Sequence, residues 1–255
     1  MPSLTHSALL ILLGFVPSLI WLNFYFREDC HPEPKSLLTK VFLMGIITSP
    51  LAILLQLLLI KCDGISSLKS FCLPFGFLEP NSIEFFMWSA FVEELIKFYV
   101  ISIMILNNPE FDEPIDAMIY MMAAALGFAA IENTLIVFQT TPDGVAVTIN
   151  TLILRFIGAT LLHALASGLL GYFLAVSWFF QHHRKKLIVT GLLMATLFHF
   201  TFNIVIFTFE GQITALLYTT SLLLGMAFLI SILFDRLKDR HPNLPFSLSR
   251  QERSI

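Results

Sequence analysis

Phe91-Val92-Glu93-Glu94-Leu95-Ile96-Lys97 sets two adjacent carboxylates and an ammonium in the middle of an apolar run from about Ser82 to Leu106. A run of that length predicts a transmembrane helix, since about 20 apolar residues cross ~30 Å of hydrocarbon. Ionisable groups at that depth are expensive, each costing roughly 2.5–3.5 kcal/mol on insertion scales. One such group near a helix end can snorkel to the interface. Three within five positions need partners, and the rest of the chain must supply them.

Around this stretch, apolar runs at about 5–26, 40–61, 115–139, 152–180, 187–209 and 213–234 predict six further spans. The fold expected is all-α, a polytopic bundle of about seven helices. The chain is 56% hydrophobic and only 13% charged, whereas soluble domains sit near about a quarter charged. A single integral membrane domain over 1–255 follows, with a core at about 82–209 and a short tail at 235–255. The first run lacks a basic leader and a small-residue cleavage site, so it reads as a span. Residues 143–154 read as an interfacial segment, with the fifth helix starting near Arg155. No 20–50-residue repeat and no basic patch with interleaved aromatics occurs, which argues against a solenoid and a nucleic-acid binder.

Lysine and arginine placement predicts orientation. With the N-terminus outside, Arg27, Lys35, Lys40, Arg184, Lys185, Lys186, Arg236, Lys238, Arg240, Arg250 and Arg253 lie on the inner side. Only Lys61 and Lys69 lie outside, while Lys97 and Arg155 fall within spans. That bias predicts an N-out, C-in protein of the cytoplasmic membrane. Cys62 and Cys72 then share an outer loop, where a disulfide could form, and Phe71, Phe75 and Phe77 suggest that this loop lies on the membrane. Cys30 completes a set with no zinc-ligand spacing. Asp112-Glu113-Pro114-Ile115-Asp116 reads as the start of span four, acids lying near the positive end of its dipole.

The strongly polar side chains inside spans are few. Span three carries Glu93, Glu94 and Lys97, and span four Glu132 and Asn133. Span five carries His163, with Arg155 near its outer end, and span six carries His199 and Asn203. Glu93, Glu132, His163 and His199 each lie ~7–10 residues below the outer end of their span, at about 1.5 Å per residue. Four helices of alternating direction thus deliver an acid or an imidazole to one layer. His199 and Asn203 share a helix face, as do Glu93 and Lys97, while Glu94 points about 100° away from Glu93.

Two chemistries suit this set. In one, Glu132, His163 and His199 hold a zinc ion, leaving a position for water, and Glu93 or Glu94 is the general base. In the other, a desolvated glutamate activates water without a metal, and His199 with Asn203 donates to the oxyanion. Both hydrolyse amides. No HExxH motif is present to decide between them.

The ordered set Glu93-Glu94-Leu95-Ile96-Lys97, Glu113-Pro114-Ile115-Asp116, Gly127-Phe128-Ala129-Ala130-Ile131-Glu132-Asn133, His163-Ala164, Gly171-Tyr172-Phe173 and His199 with Asn203 resembles the PrsW-type intramembrane metalloproteases. That family is related to the CAAX prenyl endopeptidases. The resemblance runs from about residue 85 to 205. It implies cleavage of a membrane-anchored protein, with anti-sigma factors as the substrates of characterised relatives, cut outside the cytoplasmic membrane. It also implies functional roles for Glu93, Glu94, Glu132, His163 and His199. Glu132 stands where the FxxxH motif of the CAAX relatives has histidine. Two other classes compete on the residues alone. Buried acids and histidines also serve proton-coupled transporters, although neither repeats nor broken helices support that reading here. A scaffold would need only satisfied hydrogen bonds in the polar layer.

Overall fold

A computed structural model describes residues 4–28, 33–61 and 76–240. They form α1 (Leu4–Tyr25), α2 (Lys35–Leu57), α3 (Ile83–Met104), α4 (Asp116–Thr140), α5 (Val145–Ile157), α6 (Ala159–Phe179), α7 (Arg184–Thr208) and α8 (Ile213–Arg240). Among the described residues the only strand-like pairing is one bridge, Ile60 with Leu78. Six stretches are long and apolar enough to cross a bilayer: Thr5–Glu28, Lys35–Leu57, Asp116–Asp143, Val145–Phe179, Gln181–Thr208 and Ile213–Asp239. α3, at 22 residues, is also long enough to cross. What sets it apart is its charge, carried by Glu84, Glu93, Glu94 and Lys97.

The expected spans match these helices with two differences. The fifth region is broken, because α5 ends at Ile157 and α6 begins at Ala159, with Gly158 between them. Trp21 Nε1 donates to the Phe156 carbonyl at 2.8 Å, tying α1 to the end of α5. α8 continues to Arg240, so residues 235–240 of the expected tail are helical. Cys30, Cys62, Cys72, Phe71, Phe75 and residues 241–255 lie outside the described residues.

α4 is the axis of the bundle. It packs chiefly against α1, α2 and α6 and also touches α3 and α5. Every residue from Asp116 to Ala130 is buried, and the helix is apolar almost all round, as an enclosed helix must be. Small residues let its neighbours approach closely. A Cβ on Gly127 would lie 2.0 Å from the Phe42 carbonyl oxygen, and one on Gly45 would lie 2.1 Å from that of Ala124. The backbones of α2 and α4 are therefore in contact, the close approach that small residues permit between membrane helices. Gly127→Ala must push the two helices apart, at about 1–3 kcal/mol. The check is a lowered unfolding midpoint in detergent, with Gly225→Ala holding or raising it, because that glycine is inside α8 and nothing lies within 4 Å of its Cβ.

The ends of the helices are joined consistently. Lys238 on α8 pairs with Glu28, just after α1, at 3.0 Å. Phe111, between α3 and α4, packs edge-on against Trp178 of α6 with ring centres 4.9 Å apart. At the opposite end Lys61 pairs with Glu79 at 2.9 Å, closing the α2–α3 connection. Helices that run back and forth through one layer require this division of the connections between two ends.

Candidate active site

α3 is launched by Ser82, whose Oγ accepts the Phe85 N–H at 3.1 Å, a regular N-cap. Ten residues beyond Ile83 comes Glu93. Glu132 lies eight residues before the end of α4, and His199 nine before the end of α7. At 1.5 Å per residue these offsets place all three ~12–15 Å from the end of the bundle that carries the α2–α3 connection. His163, near the start of α6, joins them. The convergence expected from span counting is what the side chains show.

Glu93 Oε1 accepts from Gln56 Nε2 at 2.9 Å and from Ser89 Oγ at 3.2 Å. Its other oxygen, Oε2, is buried without a hydrogen-bond partner. That oxygen faces His199 Nε2 at 3.7 Å and His163 Nδ1 at 3.9 Å. Glu94 is instead fully engaged. Its Oε1 accepts from Lys97 Nζ at 2.7 Å and His199 Nδ1 at 2.9 Å, and its Oε2 from Ser167 Oγ at 2.8 Å. The two carboxylates diverge as adjacent helical residues must, and Lys97 makes its short contact with Glu94 while standing 4.0 Å from Glu93.

Each imidazole is held by a carboxylate. Glu94 accepts a hydrogen bond from the Nδ1–H of His199, which leaves Nε2 with its lone pair towards Glu93. Glu132 Oε2 accepts from the Nε2–H of His163 at 3.0 Å, which leaves Nδ1 with its lone pair on the same space. Carboxylates that fix histidine tautomers in this way are the usual outer partners of metal-ligating histidines. Glu93, His163 and His199 each offer one ligand atom, and these atoms lie within 4.8 Å of one another. An orphaned buried oxygen beside two lone-pair nitrogens fits a metal of the kind that zinc hydrolases use. The group that fits contains Glu93. Glu132, expected from the sequence as the third ligand, sits one bond further out, on His163 and on Arg155 at 3.0 Å. Lys97 Nζ also lies 2.8 Å from His163 Nδ1, so a cation already touches that lone pair.

Asn203 is half-buried one turn beyond His199, and its side chain makes no hydrogen bond among the described residues. Asn133 does not face the imidazoles. It accepts from Arg155 Nε at 2.7 Å and donates to Thr160 at 3.0 Å, bracing α4 against α5 and α6. Three supporting side chains were missed in the sequence. Gln56, Ser89 and Ser167 leave little signal, being neutral groups in apolar runs. Arg155 stood out in the sequence as a charge inside a span, but its pairing with Glu132 becomes visible only in the structure, where the helix breaks at Gly158.

The residues that the cluster draws on, from Gln56 to His199, lie within a match to the family described as PrsW family intramembrane metalloprotease, over residues 33–233. The chain is similar to the Protease PrsW of Oceanobacillus iheyensis, 27% identical over 90% of this chain and 95% of the relative. It is 27% identical to that of Geobacillus kaustophilus over 74% of this chain and 76% of the relative. To that of Clostridioides difficile it is 28% identical over 77% and 79%. No solved structure matches the chain. A match running through α2 to α7, every helix that contributes to the polar layer, makes this chain a multi-pass intramembrane protease and a member of the PrsW family of intramembrane metalloproteases.

Proposed function

We propose that the protein hydrolyses a peptide bond of a membrane-anchored protein near the extracytoplasmic face of the cytoplasmic membrane, N-terminus out and C-terminus in. An anti-sigma factor is the substrate that the resemblance suggests. The whole chain acts as one protease domain, and Glu93, His163 and His199 are its working centre. The observation that carries this reading is the orphaned Oε2 of Glu93, set between two imidazole nitrogens whose tautomers are fixed by other carboxylates.

Glu93, His163 and His199 would hold the metal, with zinc the ion best suited to one carboxylate and two imidazoles. Zinc there supplies Lewis acidity, making water nucleophilic at neutral pH and polarising the scissile carbonyl. Glu94 and Glu132 keep the imidazoles oriented. Asn203 presents an amide on the same face of α7 as His199, where it can donate to a developing oxyanion.

The contact of Lys97 with His163 Nδ1 favours a second reading, in which no metal enters. Glu93 Oε2 is then the base that takes the proton from water, since both oxygens of Glu94 already accept from donors and Glu132 is paired with Arg155 and His163. Purified protein in detergent, cleaving a single-span reporter, separates the two. In the metal reading it carries one zinc per chain, loses activity to a chelator and regains it with zinc. In the metal-free reading cleavage continues in the chelator. Wild-type protein that cuts no membrane-anchored reporter under any metal condition overturns the proposed substrate class.

A further inference from the structure

A second group of acids lies at the other end of α4, and the reaction makes no use of it. Asp116 opens α4, sixteen residues before Glu132, or ~24 Å along the helix. Glu33, Asp112 and Asp116 each offer a carboxylate oxygen, and the three lie within 4.8 Å of one another. Asp116 is wholly buried, Glu33 is 5% exposed, and Asp112 opens the group to solvent.

The sequence suggests that these acids merely start the helix, but the bonding differs. Asp116 Oδ2 reaches back to the N–H groups of Asp112 at 3.1 Å and Glu113 at 2.8 Å, not forward into the first turn. Its Oδ1 is buried with no hydrogen-bond partner. Tyr120, on the same helix, donates its hydroxyl to Glu33 Oε2, fixing that carboxylate in place. A helix N-terminus offers only about half a positive charge. Three carboxylates drawn together, two of them buried and one with an orphaned oxygen, ask for a cation or for a shared proton. Neither Asp112 nor Asp116 forms an ion pair with a lysine or arginine among the described residues.

We infer that Glu33, Asp112 and Asp116 form a second metal site, for a hard divalent cation such as Mg2+ or Ca2+. All the donors are oxygens, with no imidazole or thiolate, which selects that class over zinc. The bound cation pins the segment before α2 to the start of α4, the helix around which the bundle is built.

The test is calcium titration by calorimetry on the full-length protein in detergent, after stripping with a chelator, with Mg2+ as competitor. Ca2+ is the probe because the histidine-bearing cluster is a poor site for it. One saturable site per chain is expected, weakened at least about tenfold by Asp116→Asn and by Glu33→Gln, and unchanged by His199→Ala. Asp112→Asn, on the exposed member, supplies a variant that leaves the buried packing intact, and it must weaken binding too. Wild-type protein that takes up neither ion saturably overturns the inference, as does equal uptake by all three carboxylate variants. A rise in the unfolding midpoint of Asp116→Asn with no cation uptake by wild type also overturns it, since the acids then share a proton.

Discussion

Glu93→Gln is expected to lower cleavage of a membrane-anchored reporter by about 10²–10⁴-fold, the usual contribution of a positioned base, while the protein folds normally. The amide keeps the shape of the side chain and an oxygen to accept from Gln56 and Ser89. It removes the negative charge at the one buried carboxylate oxygen of the layer with no hydrogen-bond donor. Both readings of the site lose function by this change, because Glu93 is a ligand in one and the base in the other. Stability should hold or rise, since a buried oxygen without a donor contributes nothing to folding. The measurement is the initial cleavage rate in proteoliposomes beside the thermal midpoint of the same preparation. Normal cleavage by a well-folded Glu93→Gln would remove Glu93 from the chemistry.

The layer itself was legible in the sequence because span length and helical rise fix depth. Counting from the ends of apolar runs puts Glu93, Glu132, His163 and His199 at one level, and the structure joins all four within hydrogen-bonding or ion-pair distance. Roles within the layer depend on rotation and on neighbours, which counting does not fix. Glu93 and Glu94 are equivalent in composition. What separates them is Ser167 of α6 and His199 of α7, which meet Glu94 because α3 turns that face towards them. The exchange of Glu132 for Glu93 beside the imidazoles has the same origin. Glu132 is close to His163, yet Arg155 comes round from α5 to claim it, and the break at Gly158 that allows this is one residue long. The family match is no sharper on such points, since it states descent and activity but not which oxygen is free.

Lys97→Met should be the most destabilising single change in the buried polar layer, by about 3–5 kcal/mol, because it strands a buried carboxylate. The ammonium is wholly buried and sits 2.7 Å from Glu94, 2.8 Å from His163 and 4.9 Å from the centre of the Phe128 ring. Methionine fills much the same volume but leaves Glu94 with only His199 and Ser167. If the cost comes from the unpaired charge, Lys97→Met with Glu94→Gln should recover most of it, the non-additivity expected of a contacting pair. Unfolding midpoints in detergent for the two single variants and the double one measure that coupling. A second consequence concerns the metal. The Lys97 ammonium competes for the lone pair of His163 Nδ1, so folded Lys97→Met should bind zinc more tightly than wild type. Full stability together with unchanged zinc affinity in Lys97→Met would mean that the ammonium neither neutralises Glu94 nor occupies the approach to His163.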